Sequence, residues 1–263
     1  MQVMEASAQA RPVSLPVGVR NRYYFGKLLD VVHFDIEQDY FNAKRWLINR
    51  LVLGYGVVCG MDVQLRNSDK SVVVTTGFGI DRWGHEIIVP AESRPWDLPL
   101  PPPPPAPSTA APATATPASS CEDDDCYYSL YICYYECASS PEPSLGDDCG
   151  QQNCVPSLIQ ERYKLEWRKG KAPDPPPDDC VSDLITGGRV NRRALALRVS
   201  QCCQDAPCDP CLPLANLRLA KPDGSTSADV DITIRPIVYT NDLLYELITA
   251  QSATGSTRPL GGK

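Results

Sequence analysis

The chain has 263 residues, 43% of them hydrophobic, and a formal net charge of −7. That length admits one large or two small cores. No stretch approaches the ~20 consecutive apolar residues that span a bilayer, and the acidic balance argues against nucleic acid, whose phosphates must be met by clustered Lys and Arg.

The start, MQVMEASAQARPVSLPVG, has no basic segment leading into an apolar one, so a secretory signal is not expected and synthesis is placed in the cytoplasm. Charge is uneven. Residues 1–100 hold 11 basic and 11 acidic side chains, which leaves 14 basic against 21 acidic in the remainder. The acidic runs Glu122–Asp125, Asp147-Asp148 and Asp178-Asp179 read as solvated loops, because none has the alternating ligands and turn glycine of a calcium loop.

Residues 1–19 read as an extended arm, with Pro12 and Pro16 opposing helix. A helix is expected from Ile36 to Leu53, with Asp35 as N-cap and Gln38 three residues on in a capping box. Phe34, Phe41 and Ile48 recur every seven residues, and Tyr40, Leu47, Leu51 and Val52 widen the apolar face. Gly54 suits a left-handed cap. Strands follow over Val57–Leu65 and Val72–Thr76, with a turn at Asn67-Ser68-Asp69. A second hairpin pairs Phe78–Ile80 with Glu86–Val89 about Asp81-Arg82-Trp83-Gly84, and Gly77-Phe78-Gly79 reads as a bulge or bend. This helix and its hairpins make a docking unit over residues 20–97.

Residues 98–120, with five consecutive prolines from Pro101, form a linker that cannot bury a core. A Cys-rich β unit over residues 121–250 follows. Its aromatic run from Tyr127 (YYSLYICYYEC) and the alternating Gln160–Trp167 read as strands, as do Leu195–Val199 and Ile232–Ile234. Thr240–Ala250 reads as a helix capped by Thr240, Asn241 or Asp242, with Leu243, Leu244, Leu247 and Ile248 inward, before a flexible tail over residues 251–263. The class is α+β and β-rich: one long N-terminal helix packed on antiparallel hairpins, then a Cys-rich second β domain with a C-terminal helix.

Of twelve cysteines, Cys59 stands alone and eleven lie between Cys121 and Cys211. Cys208-Asp-Pro-Cys211 has the bite that lets two thiolates meet one Zn²⁺; Cys202 and Cys203 just upstream offer a third ligand, and Cys149-x4-Cys154 or Cys133-x3-Cys137 a fourth. Three readings stay open: structural zinc, disulfides in an oxidising setting, and reduced, separately buried thiols. A thioredoxin-like role is disfavoured, since no βαβ pattern precedes Cys208 and nothing electropositive lowers its pKa.

No G-x-S-x-G, H-E-x-x-H, P-loop or dinucleotide fingerprint occurs. The two histidines, His33 before the helix and His85 after a turn, suit capping or packing better than catalysis. Glu37 and Asp39 are too close in sequence to face each other across a substrate on one helix, so a glycosidase pair is unsupported. The expectation is a protein that is not an enzyme.

The densest pattern runs from Arg22 to Val89: YFGKLL entering the helix, KRWLINR on its surface, then GVVCGMDV and GIDRWGHEIIVP. It resembles a family of proteins encoded with phage-tail-like contractile injection systems, with weaker echoes in PSLIQERYKLEW, CDPCLPLANLRL and YTNDLLYELI. The resemblance implies a structural component near the baseplate end of a contractile particle, an extension, shell or adaptor. Its partners would be other baseplate or sheath-end proteins in multiple copies, in a particle that is membrane-associated or released. Arg22, Tyr23, Tyr24, Phe25 and Lys27 are candidate interface anchors, since aromatics beside cations make hot spots. The alternatives are a free zinc-binding interaction module and a secreted disulfide-stabilised binding protein.

Overall fold

Asp30 starts the first element. Its carboxylate accepts from the Val31 amide at 2.7 Å, while the Asp30 amide donates to His33 Nδ1 at 3.1 Å, closing a capping box on α1, Val31–Ile48. The expected start at Ile36 under Asp35 is thus corrected. Asp30 escapes a pattern search because its third-position partner is histidine rather than Glu or Gln, and nothing in Val31–Phe34 breaks a helix. The computed structural model describes residues 15, 17–66, 70–99, 127–143, 154–173, 184–186, 189–200, 205–219 and 228–255. Most of the expected arm, linker and tail, the turn at Asn67-Ser68-Asp69 and the three acidic runs lie outside them.

A π-helical turn, Asn49–Leu53, extends α1 to Gly54. Gly54 stops it at φ 84°, ψ −165°, a glycine conformation, though not the left-handed helical cap expected. The arm turns back along α1. Gly18 lies against the Tyr40 ring, Asn21 Nδ2 donates to the His33 carbonyl, and Tyr23 Oη donates to Glu37.

The expected strand Val57–Leu65 is two strands in two sheets. β1, Gly56–Gly60, ends where Gly60 (φ 63°) and Met61 (φ 52°) turn the chain, and β2, Val63–Arg66, leaves in another sheet. That corner is tight, since a Cβ on Gly60 would lie 2.0 Å from the Thr76 carbonyl oxygen. β3 is Ser71–Val74, β4 Gly77–Ile80, β5 Glu86–Val89 and β6 Trp96-Asp97. They form antiparallel sheets of order β1-β4-β5 and β2-β3-β6. The irregularity expected at Gly77-Phe78-Gly79 falls opposite, in β1 between Val57 and Cys59.

A long antiparallel ribbon comes next, β7 (Tyr127–Pro143) with β8 (Cys154–Lys169), in register from Tyr128↔Lys169 to Pro143↔Cys154. Short β9 (Ile185-Thr186) and β10 (Arg189-Val190) lead to α2, Arg192–Val199. The strand expected at Leu195–Val199 is therefore helix. Asn191 Oδ1 caps it from the Ala194 amide at 3.2 Å, and Arg, Ala and Leu fill it with good helix formers. β11, Leu212–Arg218, is buried along nearly its whole length between β7 and β12, Asp229–Asp231. The strand expected at Ile232–Ile234 ends at Asp231, whose carboxylate accepts from Thr233 and turns the chain. α3, Asn241–Gly255, is capped by Thr240 Oγ1 at 3.2 Å from the Leu243 amide.

The α+β, β-rich class holds. The helices, however, meet the sheets sparingly: α1 buries no residue fully, and Leu244, Leu247 and Ile248 of α3 are exposed rather than inward. The core belongs to the strands. Val57, Met61, Val72, Val74, Ile87 and Val89 form one buried cluster with Leu130, Ile132, Leu212, Leu214 and Leu217. The segments on either side of residues 100–126 therefore share a core, and Trp83 Nε1 to the Pro207 carbonyl (2.7 Å) and Trp167 Nε1 to the Asp97 carbonyl (3.0 Å) tie them further. Leu130→Ala, at a fully buried position, should cost about 2–5 kcal/mol. Urea unfolding followed by tryptophan fluorescence and by far-UV dichroism should stay coincident and shift as one transition.

Candidate functional site

α1 meets the body at one small joint, built from two stretches far apart in sequence. Asn49 Nδ2 donates to the Gly84 carbonyl and to Glu86 Oε1, both at 2.8 Å, and Arg45 Nε pairs with Glu86 at 3.2 Å. The Trp46 and His85 rings meet edge to face with centroids 4.4 Å apart, and His85 stacks on Tyr134 at 4.6 Å. Asp81 pins the turn beneath, accepting from the Trp83 and His85 amides at 2.8 and 2.9 Å and meeting His85 Nδ1 at 2.8 Å. Gly84, at φ 96°, lets the helix in: a Cβ there would lie 2.2 Å from the Trp46 carbonyl oxygen. Hence KRWLINR and GIDRWGHEIIVP, distinct motifs in the sequence, are halves of one joint. His85 packs, and His33 caps.

The candidate anchors stand at the other end of this lever. Tyr24 to Lys27 make a tight turn, with the Lys27 amide on the Tyr24 carbonyl (3.1 Å) and Gly26 at φ 82° in the third position, the pattern of a type II turn. Phe25 is fully exposed at its apex and Tyr24 largely so. Tyr23 is tied to Glu37, an acceptor that pushes its phenol pKa up, and Lys27 lies over the Tyr23 ring at 5.5 Å. Arg22 is exposed beside them. The turn thus holds Phe25 away from the body instead of stapling the helix to the hairpins. Leu28, Val31, Phe34, Phe41, Ile48 and Val52 continue an exposed apolar surface along α1, well beyond the single scattered apolar side chains of an ordinary surface.

Two of the four candidate metal ligands, Cys208 and Cys211, fall among the described residues. Cys211 is bonded to Cys133 across β11 and β7, so its sulfur offers no thiolate, while Cys208 lies at the surface. Cys202 and Cys203 lie outside the described residues. Among the described residues, Cys133, Cys211 and Glu166 place ligand atoms within 4.8 Å of one another, but the two sulfurs are joined. The bridge closes a separation of 78 residues, worth ~4 kcal/mol in the chain-entropy account. Sequence spacing favoured the Cys208–Cys211 pair, and only the pairing of β7 with β11 reveals Cys133 as a neighbour.

Arg168 reinforces this region from above, stacked 3.9 Å over Tyr131 and bound through both nitrogens to Asp209. Burial pushes the Asp209 carboxyl up, but Arg168, the Cys211 amide and the nearby Arg82 charge outweigh it and hold it below the usual range. A groove of about 990 Å³ runs between β5, residues 90–96 and β8, lined by Ile88, Trp96, Tyr134, Glu161, Arg162 and Tyr163. Burial and the adjacent Glu136 and Glu161 push the Tyr134 phenol far up, so it stays a proton donor to Glu136 rather than a base.

No family model matches the chain, and no curated protein matches it. Among solved structures, the crystal structure of TssK aligns with 94% of this chain and 51% of that one, at a TM-score of 0.32 and 14% identity. The chain spans about half the length of that protein, and a likeness at this level carries no argument. Among the described residues no helix is long and apolar enough to cross a membrane.

Two outcomes test the joint and its surroundings. Asn49→Ala orphans a buried carbonyl and should cost about 1–3 kcal/mol locally, seen as faster hydrogen exchange over residues 45–53 with β11 still protected. Asp209 has a lowered folded pKa, so its contribution is present above the unfolded value of about 4 and fades as pH falls through the folded one. Asp209→Asn should remove that part of the acid-side loss. Because the pair is part-exposed, the difference between urea melts at pH 7 and pH 3 should change by no more than ~1 kcal/mol.

Proposed function

We propose that this chain is a non-enzymatic structural component of a contractile injection system, an extension, shell or adaptor subunit near the baseplate end. The observation that carries the reading is the placement of apolar surface. The sheets close over one core, while the arm, α1 and α3 turn large apolar side chains outward. A helix attached to the body by one end, with large apolar side chains left exposed beside the arm, suits assembly, because burying such side chains is the dominant favourable term in association. The sequence resemblance over Arg22–Val89 supplies the kind of assembly.

In this reading Arg22, Tyr23, Tyr24, Phe25 and Lys27 are the gripping end, seated on neighbouring baseplate or sheath-end proteins in multiple copies, with the β7–β8 ribbon directed away. Zinc would enter only through a reduced form of the Cys-rich region. Large complexes pelleted from gently lysed native cells should contain this chain with sheath and tube proteins and keep it through a salt wash. A small soluble species, in cells that hold assembled sheaths, would sink the reading. Phe25→Asp should leave stability within ~0.5 kcal/mol, as exposed positions do, yet deplete the chain from that pellet.

A further inference from the structure

Alternation along β7 gives the sheet two buried faces. Leu130 and Ile132, with Leu165 of β8, belong to the main core. Tyr131 and Cys133 lie on the other side, in a small cluster with Ala172, Cys211 and Ile234. Cys133 and Cys211 are 2 and 7% exposed. Glu166 of β8 brings a carboxylate oxygen within 4.8 Å of both sulfurs. Three neighbouring strands thus bring three ligand-type atoms to one point. While the bridge is closed the carboxylate gains nothing from the sulfurs, since a disulfide has no proton to donate.

Each member of the group suits a soft cation. Reduction of the bridge leaves two adjacent thiols, and burial keeps such thiols neutral until a metal takes their protons. Lys164 and then Arg168 hold the Glu166 carboxyl below its usual range, against the opposing pull of burial, so it is already deprotonated as a ligand must be. Arg168 also donates to Glu166 Oε2 at 3.3 Å, the kind of outer contact that orients a ligating carboxylate. Local charge balances with an ion in place. Two thiolates, Glu166 and Asp209 give four negative charges, and a divalent cation, Lys164 and Arg168 give four positive.

We infer that Cys133, Cys211 and Glu166 form a zinc-type site when the bridge is reduced, so that one place in the sheet holds a disulfide in an oxidising setting and a thiophilic divalent cation in a reducing one. A dithiol reductant gives two electrons and two protons to the bridge and leaves as its own disulfide. Zn²⁺ then displaces both thiol protons into solvent. Two thiolates and a carboxylate leave the fourth position of a tetrahedral ion to water. The ion ties β8 as well as β7 and β11, where the disulfide ties only the latter two. This set shares only Cys211 with the one that sequence spacing suggests. It stands apart from the particle reading, which cell fractionation tests.

The test is metal titration of the purified full chain, kept reduced with a phosphine in metal-free buffer. Cd²⁺ reports through its ultraviolet thiolate charge-transfer band, and Zn²⁺ competes for the same site. The expected result is a tight site filled at one equivalent. Cys133→Ala should abolish it, while Cys59→Ala and Cys154→Ala, at exposed free thiols, should leave it unchanged. Glu166→Gln should weaken it at least about tenfold, with the melting temperature of the metal-free reduced chain unchanged, and it serves alone if Cys133→Ala folds poorly. A reduced chain that binds Zn²⁺ no tighter than about 10 μM overturns the inference. So does a tight ion indifferent to both Cys133→Ala and Glu166→Gln, and so does one that Cys208→Ala removes and Cys133→Ala keeps.

Discussion

The missing side chain of Gly84 is the constraint on which the placement of α1 depends. With φ at 96° and the Trp46 carbonyl where a Cβ would be, no other residue lets the helix end sit on that turn without moving it. Once the backbones touch, Asn49 reaches both the Gly84 carbonyl and Glu86, and Trp46 reaches His85. The buried polar groups there are satisfied in one arrangement, so the joint fixes direction as well as attachment. Everything carried by the helix, from the Phe25 turn to the exposed apolar side chains, is aimed by that contact. Asn49 opens a π-helical turn, a feature frequent at functional sites.

The sheets follow a different logic. β11 sits between β7 and β12, and its buried side chains reach the cluster formed by β1 to β5. A chain interrupted by a proline run thereby closes one core from both sides of the interruption. The Cys133–Cys211 bridge ties the β7 and β11 strands of that core. Arg168 stacks on Tyr131 and pairs with Asp209, whose carboxylate also accepts from the Cys211 amide.

How legible this was in the sequence varied with how local the cause was. The helix, both N-terminal hairpins, the long aromatic strand and the C-terminal helix follow from period and punctuation, which are local. The split at Gly60-Met61 is hard to read because Val57-Val58 and Val63–Leu65 are β-favouring on both sides of it, so that Gly60 and Asp62 pass for a local irregularity until the two different partner strands show the break. α2 read as a strand because Leu195 and Leu197 alternate, a pattern that a short exposed helix can share. β11 was missed because Pro213 argues against a central strand. The structure tolerates it at a register shift between Pro213 and Ala215. The residues around Phe25 are named from their aromatic and cationic chemistry alone, without the turn that Gly26 makes there, and the Cys133–Cys211 pairing depends on strands 78 residues apart.

The outer part of the β7–β8 ribbon has a further consequence. Beyond Ile132, β7 has left β11, so the two strands pair there with each other alone among the described residues. Val155, Leu158 and Ile159 are exposed there. Such a ribbon offers unpaired edge amides and carbonyls onto which another strand can add. Its end carries the antidote. Pro141 stands opposite Pro156, with Pro143 beyond, and each removes an amide donor from the rim where a new strand would begin. The prolines thus interrupt the row of amides at the tip of the ribbon, where a further strand would begin to pair.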